Sequence, residues 1–148
     1  MAVTELKGDY AFLSNFYPSP ITRDGITYPT IEHFFQAHKT EWIEEHLHIA
    51  ECESPGEAKA LGRSIELRDD WEEVKYQVMF TGVMLKFLSQ QSLGQKLTDT
   101  GNAHLYEGNH WGDTTWGVIW DSSKQEWVGQ NWLGEILMDV RSIIRGLR

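Results

Sequence analysis

The sequence predicts an α+β fold: a single compact domain, helix-rich, with a small antiparallel sheet. Three observations carry that reading. Capping signatures open helical patterns at Thr30, Ser54 and Asp70. An Asp24-Gly25 turn joins two short segments of strand character. Residues 104–128 break into short strands and loops. At 148 residues the chain has the size of one domain, taken as residues 1–148, and 41% hydrophobic content favours a packed core over disorder.

Taken in order, residues 21–28 read as a hairpin whose Asp-Gly turn needs φ > 0. Pro29-Thr30 stops the strand, and Thr30 caps a helix with Ile31, Phe34, Phe35, His38 and Trp42 on its buried side. Glu32 falls in the first turn, where the helix dipole favours negative charge. Ser54-Pro55-Gly56-Glu57 is a capping box with proline at the first helical position, and a short helix follows through Leu61. Asp70-Trp71-Glu72-Glu73 opens a longer helix with an apolar stripe of Val74, Val78, Thr81, Leu85 and Leu88. A brief helix spans 93–97, a strand 116–120, and a turn 121–124. Asn131 caps a last helix with Leu133, Ile136, Leu137, Val140 and Ile144 inward. No repeat, low-complexity segment or linker is present.

Charge and cysteine usage narrow the function classes. The net charge of −9 disfavours nonspecific adhesion to nucleic acid, although a local basic pocket for a nucleotide-sized ligand remains compatible with it. No apolar run approaches the ~20 residues of a membrane span, and no signal-peptide pattern is visible, so no membrane association is expected. Cys52 is the single cysteine, which fits a reducing, cytoplasmic setting. Seven tryptophans are many for this length, and Trp111, Trp116 and Trp132 lie in polar or glycine-rich stretches where stacking on a base is conceivable.

Two segments carry chemistry. Glu32, Gln36 and Lys39 fall at i, i+4 and i+7, one helical face, which places an acid/base and an amine nucleophile together. The same spacing also describes an ordinary solvated face. Trp111-Gly112-Asp113 sets a carboxylate beside an aromatic ring on a glycine turn, to hold a sugar hydroxyl or activate water; a tight Asx-turn loop reads the same way. Arg63, in Leu61-Gly62-Arg63, can grip phosphate in fork geometry or be a plain cation near a helix end. His33, His38, His46 and His48 lack zinc-ligand spacing, and no dinucleotide or P-loop motif occurs, so neither metal nor cofactor is expected.

The ordered set of segments resembles the NADAR (NAD- and ADP-ribose-associated, YbiA-like) family along nearly the whole chain. It runs through Phe12-Leu13-Ser14-Asn15-Phe16, Glu32-His33-Phe34-Phe35-Gln36-Ala37 with Lys39, Ala58-Lys59 and Leu61-Gly62-Arg63. Trp71-Glu72 with Lys75, Trp111-Gly112-Asp113, and Asn131 with Leu133-Gly134 follow. The resemblance implies an N-glycosidase. It implies Glu32, Lys39 and Asp113 as catalytic and Asn15, Phe16, Gln36, Arg63, Trp71, Trp111, Gly112 and Asn131 as substrate-binding. It further implies a nucleotide-like substrate. Removal of ADP-ribose from ADP-ribosylated guanine, with transient contact to modified nucleic acid, is the first expectation. Phosphoribosylamino-pyrimidine intermediates of riboflavin synthesis, or noncatalytic ADP-ribose binding, are the alternatives. One departure bears on substrate choice: a tryptophan-containing stretch, 114–129, separates Trp-Gly-Asp from the last helix start.

Overall fold

The computed structural model describes residues 1–147. In chain order the elements are β1 (Ala2–Val3), a 3-10 turn (Gly8–Leu13), β2 (Ile21–Arg23), β3 (Ile26–Tyr28), α1 (Ile31–Ala37), α2 (Ile43–Ala50) and α3 (Pro55–Gly62). They continue with α4 (Trp71–Ser89), α5 (Gln91–Asp99), β4 (His104–Leu105), β5 (Ile119–Asp121), β6 (Glu126–Val128) and α6 (Trp132–Gly146). The class is α+β, and the described strands pair two by two rather than as one sheet. The chain divides into two compact units: Asn15–Ser89, and Met1–Ser14 with the chain from Gln90 onward.

In the Asn15–Ser89 unit, β2 and β3 pair antiparallel with Ile21 opposite Tyr28. Asp24 (φ 52°) and Gly25 (φ 81°) supply the left-handed turn their sequence predicts. Thr30 caps α1 by accepting a hydrogen bond from the His33 amide. Every residue of α1 is buried, including Glu32, His33 and Gln36. The helix is short because His38 closes it: the His38 amide and ring Nδ1 both reach the Phe34 carbonyl, the ring at 2.6 Å. The Lys39 amide then bonds the Gln36 carbonyl in a tight turn. Lys39 therefore lies just past the helix, and Trp42, expected on its buried side, starts α2 instead and is 70% exposed.

Helices α2, α3 and α4 pack around α1. Ser54 accepts from the Glu57 amide as the capping pattern predicts, while the Glu57 carboxylate receives the Glu53 amide, one residue earlier than in the usual box. On α4 the buried face is Trp71, Val78, Met79, Gly82, Val83, Lys86 and Phe87. Of the predicted stripe only Val78 is buried, and Leu88 is half exposed. The α4 sequence is apolar on most sides, so the neighbours choose the face. Gly82 lets α4 approach Phe34, whose ring would lie 3.0 Å from an added Cβ. Lys86 is buried, its ammonium over the Tyr17 and Phe87 rings at 5.3 and 5.0 Å, and burial lowers its pKa to about 7.

In the other unit, β1 and β4 pair in parallel, and β5 and β6 form an antiparallel hairpin. Asp121 accepts the Ser123 and Lys124 amides in the predicted turn. The strand is shorter than the predicted 116–120, because Trp116 and Gly117 lie in a bend. Helix α6 buries Leu133, Ile136, Leu137, Val140 and Ile144, as its pattern predicts, and packs on α5. Arg141 reaches Thr100 and the Ala103 carbonyl, both at 2.9 Å. Among the described residues no helix is long and apolar enough to cross a membrane.

Candidate active site

The acid stands in the first turn of α1 and the amine just past its last residue. Glu32 is 7% exposed, so the solvated-face reading does not describe it. Its amide bonds the Asn15 carbonyl, tying the preceding loop to the helix start. Gln36, one turn on, donates Nε2 to Glu32 Oε1 at 2.8 Å. That bond is possible because Gly62 on α3 leaves room: a Cβ there would sit 2.0 Å from Gln36 Oε1. Gln36 Oε1 and Asn15 Oδ1 are buried with no hydrogen-bond partner among the described residues. Two orphaned carbonyl oxygens are costly in a packed interior, and at a site they are acceptors held ready for a ligand.

Burial is the largest influence on both titrations. It pushes the Glu32 carboxyl above its ordinary value, against the Gln36 hydrogen bond and the charges of Lys59 and Lys39. It also pushes the Lys39 ammonium below its ordinary value. Glu32 opposes that shift, while the Arg63 and Lys59 cations assist it. Among the described residues no ion pair joins Glu32 to Lys39 or occupies either of them. A carboxyl and an amine that both lean toward their neutral forms suit proton donation and nucleophilic attack at neutral pH.

The surroundings of Lys39 are fixed by its backbone. Its carbonyl receives the Arg68 amide at 2.8 Å, and the Arg68 carbonyl receives the Trp71 amide. Trp71 is itself buried, with its ring 5.1 Å from that of Phe35, so it presents little free face for stacking. Phe16 is 43% exposed beside Asn15. His33 and His46 serve the core. His33 joins Thr30 to the Cys52 carbonyl, and His46 joins Tyr28 to the Thr40 carbonyl. Among the described residues no group of three His, Cys, Asp or Glu could hold a metal ion.

The remaining predicted residues belong to the other unit. Asn109, which the sequence reading passed over, organises their loop. Its Oδ1 accepts the Trp111 and Asp113 amides, and its Nδ2 donates to the Asp113 carbonyl at 2.8 Å. Gly112 takes φ 84° with open space around it, so glycine is there for the backbone. Asp113 Oδ1 accepts the Thr115 and Trp116 amides, the Asx-turn reading. Trp111 is 67% exposed. Asn131 sits at the start of α6 in left-handed conformation (φ 54°), but its side chain does not cap the helix. It bridges the Leu105 carbonyl and the Glu107 amide instead, and both its amide atoms are satisfied.

A buried acid with a depressed amine beside it is the equipment of an enzyme that protonates a leaving group while a nitrogen attacks carbon. The comparisons with known proteins agree in class. The sequence matches the NADAR domain over residues 4–145. It is 38% identical to N-glycosidase YbiA of Escherichia coli K12, over 90% of this chain and 81% of that protein. It is 37% identical to N-glycosidase Npun_R5314 of Nostoc punctiforme, over 93% of this chain and 88% of that one. A riboflavin biosynthesis protein of Vibrio vulnificus is 36% identical over 90% of this chain, which spans 35% of its length. The solution structure of E. coli YbiA superposes with a TM-score of 0.81 at 36% identity, covering all of this chain and 87% of that one. The fold and these relatives define a hydrolase of N-glycosyl bonds. The chain belongs to the NADAR family.

Proposed function

We propose that this chain cleaves the bond between C1 of a ribose and an exocyclic amine of an aromatic base, with Glu32 as proton donor and Lys39 as nucleophile. The observation that carries the reading is the pair itself: a buried carboxyl shifted up and a nearby amine shifted down, with no ion pair between them. An exocyclic nitrogen keeps its lone pair. That pair forms a C1=N imine as the ring oxygen leaves, and Glu32 protonates the departing oxygen. Lys39 Nζ adds to C1. The base amine takes a proton and leaves, and the sugar remains as a Schiff base on Lys39. Water adds to that C=N bond and releases the free aldehyde sugar and the amine. Gln36 orients the Glu32 carboxyl, and Asn15 and Gln36 offer acceptors to sugar hydroxyls.

The riboflavin-related names of the Vibrio relative and of a maize relative, 32% identical over 93% of this chain, support a phosphoribosylamino-pyrimidine as substrate. This chain spans only 24% of that maize protein. ADP-ribosylated guanine is the second reading. What favours it is the exposure of Phe16, 43%, beside Asn15, as a surface for a larger base. Both place the enzyme among cytoplasmic metabolites or nucleic acids. Mass spectrometry of products from each substrate tests the proposal: the free base amine and the matching sugar phosphate, or ADP-ribose, are expected. Borohydride added during turnover should fix the sugar on Lys39. Turnover with no trapped adduct would remove the covalent step, and no turnover of either substrate would remove the function.

A further inference from the structure

Loop 15–17 ties the acid to α4. On one side the Asn15 carbonyl holds the Glu32 amide at 3.1 Å, at the start of α1. On the other, Asn15 Nδ2 donates to Met79 Sδ at 3.5 Å, and the Tyr17 ring takes the Lys86 ammonium at 5.3 Å. Met79 and Lys86 stand two turns apart on the buried face of α4 and are 2% and 0% exposed. The Glu32 amide and the Lys86 ammonium fasten the loop by its backbone and by the Tyr17 ring, while the sulfur holds the Asn15 side chain. A thioether sulfur accepts weakly and cannot donate, so only the nitrogen end of the Asn15 amide can bond to it. The carbonyl end is then turned from the sulfur, and Oδ1 is the atom left buried without a partner among the described residues. A donor in place of the sulfur would reverse the amide, and an aliphatic side chain would leave it undirected. Which end of Asn15 a ligand meets is therefore decided on α4.

We propose that Met79 is a positioning residue: its sulfur orients the Asn15 amide so that the carbonyl oxygen, an acceptor, faces the substrate sugar. This rests on the reading of Asn15 as an acceptor for a sugar hydroxyl, and it adds what fixes the direction of that acceptor. The site then selects a ligand with a hydroxyl donor at that position and rejects one that presents an acceptor there, since two facing acceptors leave both unsatisfied. Met79 is buried behind Asn15 and acts only through it, so its effect falls on affinity rather than on bond breaking.

Met79→Leu removes the acceptor while keeping volume and apolar character, so the fold is retained. It is compared with Asn15→Ala and with the double variant. In Met79→Leu the KM for the riboside should rise about fivefold, with kcat within about twofold of the parent's. Asn15→Ala should lose at least as much, and adding Met79→Leu to it should cost nothing further. Calorimetry with ribose 5-phosphate should give the same pattern in Kd without turnover. In the parent, nuclear Overhauser contacts should join the Asn15 Nδ2 protons to the Met79 methyl group. Absence of those contacts, or a Met79→Leu loss equally large in the Asn15→Ala background, would overturn the proposal. Asn15→Ala with unchanged KM and Kd, the contacts being present, would overturn instead the acceptor reading on which it rests. Losses in Kd that follow the expected pattern, with no turnover of any riboside, would keep the role of Met79 and discard the glycosidase reading.

Discussion

Gln36 and Asn131 make an instructive pair, one from each unit. Each side-chain amide lies where a glycine leaves it room: Gly62 for Gln36, and Gly134 for Asn131, where an added Cβ would meet Nδ2 at 2.3 Å. Each is almost fully buried. They differ in what they satisfy. Asn131 gives both amide atoms to main-chain groups of residues 105 and 107, so its work is to hold two segments together. Gln36 gives one atom to a carboxyl and leaves the other unpaired. A buried polar group that closes its hydrogen bonds stabilises; one that leaves an acceptor open is kept for something else.

The largest effect that comparison predicts is at the group Gln36 serves. Glu32→Gln should lower kcat by about a thousandfold by removing the proton donor. Stability should move the other way. The folded carboxyl titrates above its ordinary value near 4.5, so its contribution to stability is full below that pH and lost as pH rises through the folded value. The variant should therefore equal or exceed the parent in urea at neutral pH, and the difference should vanish in acid. A variant clearly less stable at neutral pH would mean the carboxylate is structural.

Next comes the direct contrast. Asn131→Ala strands a buried carbonyl and an amide, and urea unfolding should show a loss of about 2–4 kcal/mol. Gln36→Leu removes an unsatisfied acceptor along with the one hydrogen bond to Glu32, so it should cost less than Asn131→Ala, about 1–2 kcal/mol, yet lower kcat/KM by tenfold or more. Equal stability losses would erase the distinction. The two glycines sharpen it. Gly134→Ala meets the backbone carbonyl of Leu105 at 2.2 Å and should destabilise by about 3 kcal/mol. Gly62→Ala meets the movable end of Gln36, so activity should suffer more than the melting temperature.

The smallest effect is a pH shift. Lys59 lowers the pKa of both Glu32 and Lys39. In Lys59→Gln both limbs of the bell-shaped kcat/KM profile should move to higher pH. Limbs that stay in place would show that Lys59 does not face the pair.

Features set by neighbours along the chain were legible in the sequence. Thr30 caps α1, Asp24-Gly25 turns the hairpin, and α6 buries the five residues its period selects. Glu32, Gln36 and Lys39 were legible as a set, though for an imperfect reason: the helix ends at Ala37, and Lys39 joins the group through the turn beyond it. The buried face of α4 was not legible, because a helix apolar on most sides has no strong period to read. Asn109 and Lys59 were passed over because a polar residue's partners are invisible until the backbone folds back to it.

By itself, then, the sequence determined the caps, turns and amphipathic stripes, and which acid, amide and amine could meet, since those follow from spacing along a helix. Tertiary structure decided that Glu32 is buried, that α3 lays its cations beside Lys39, and that one of two similar amides is left unsatisfied. Burial and long-range charge belong to the packed molecule, because desolvation exists only once other elements have excluded the water.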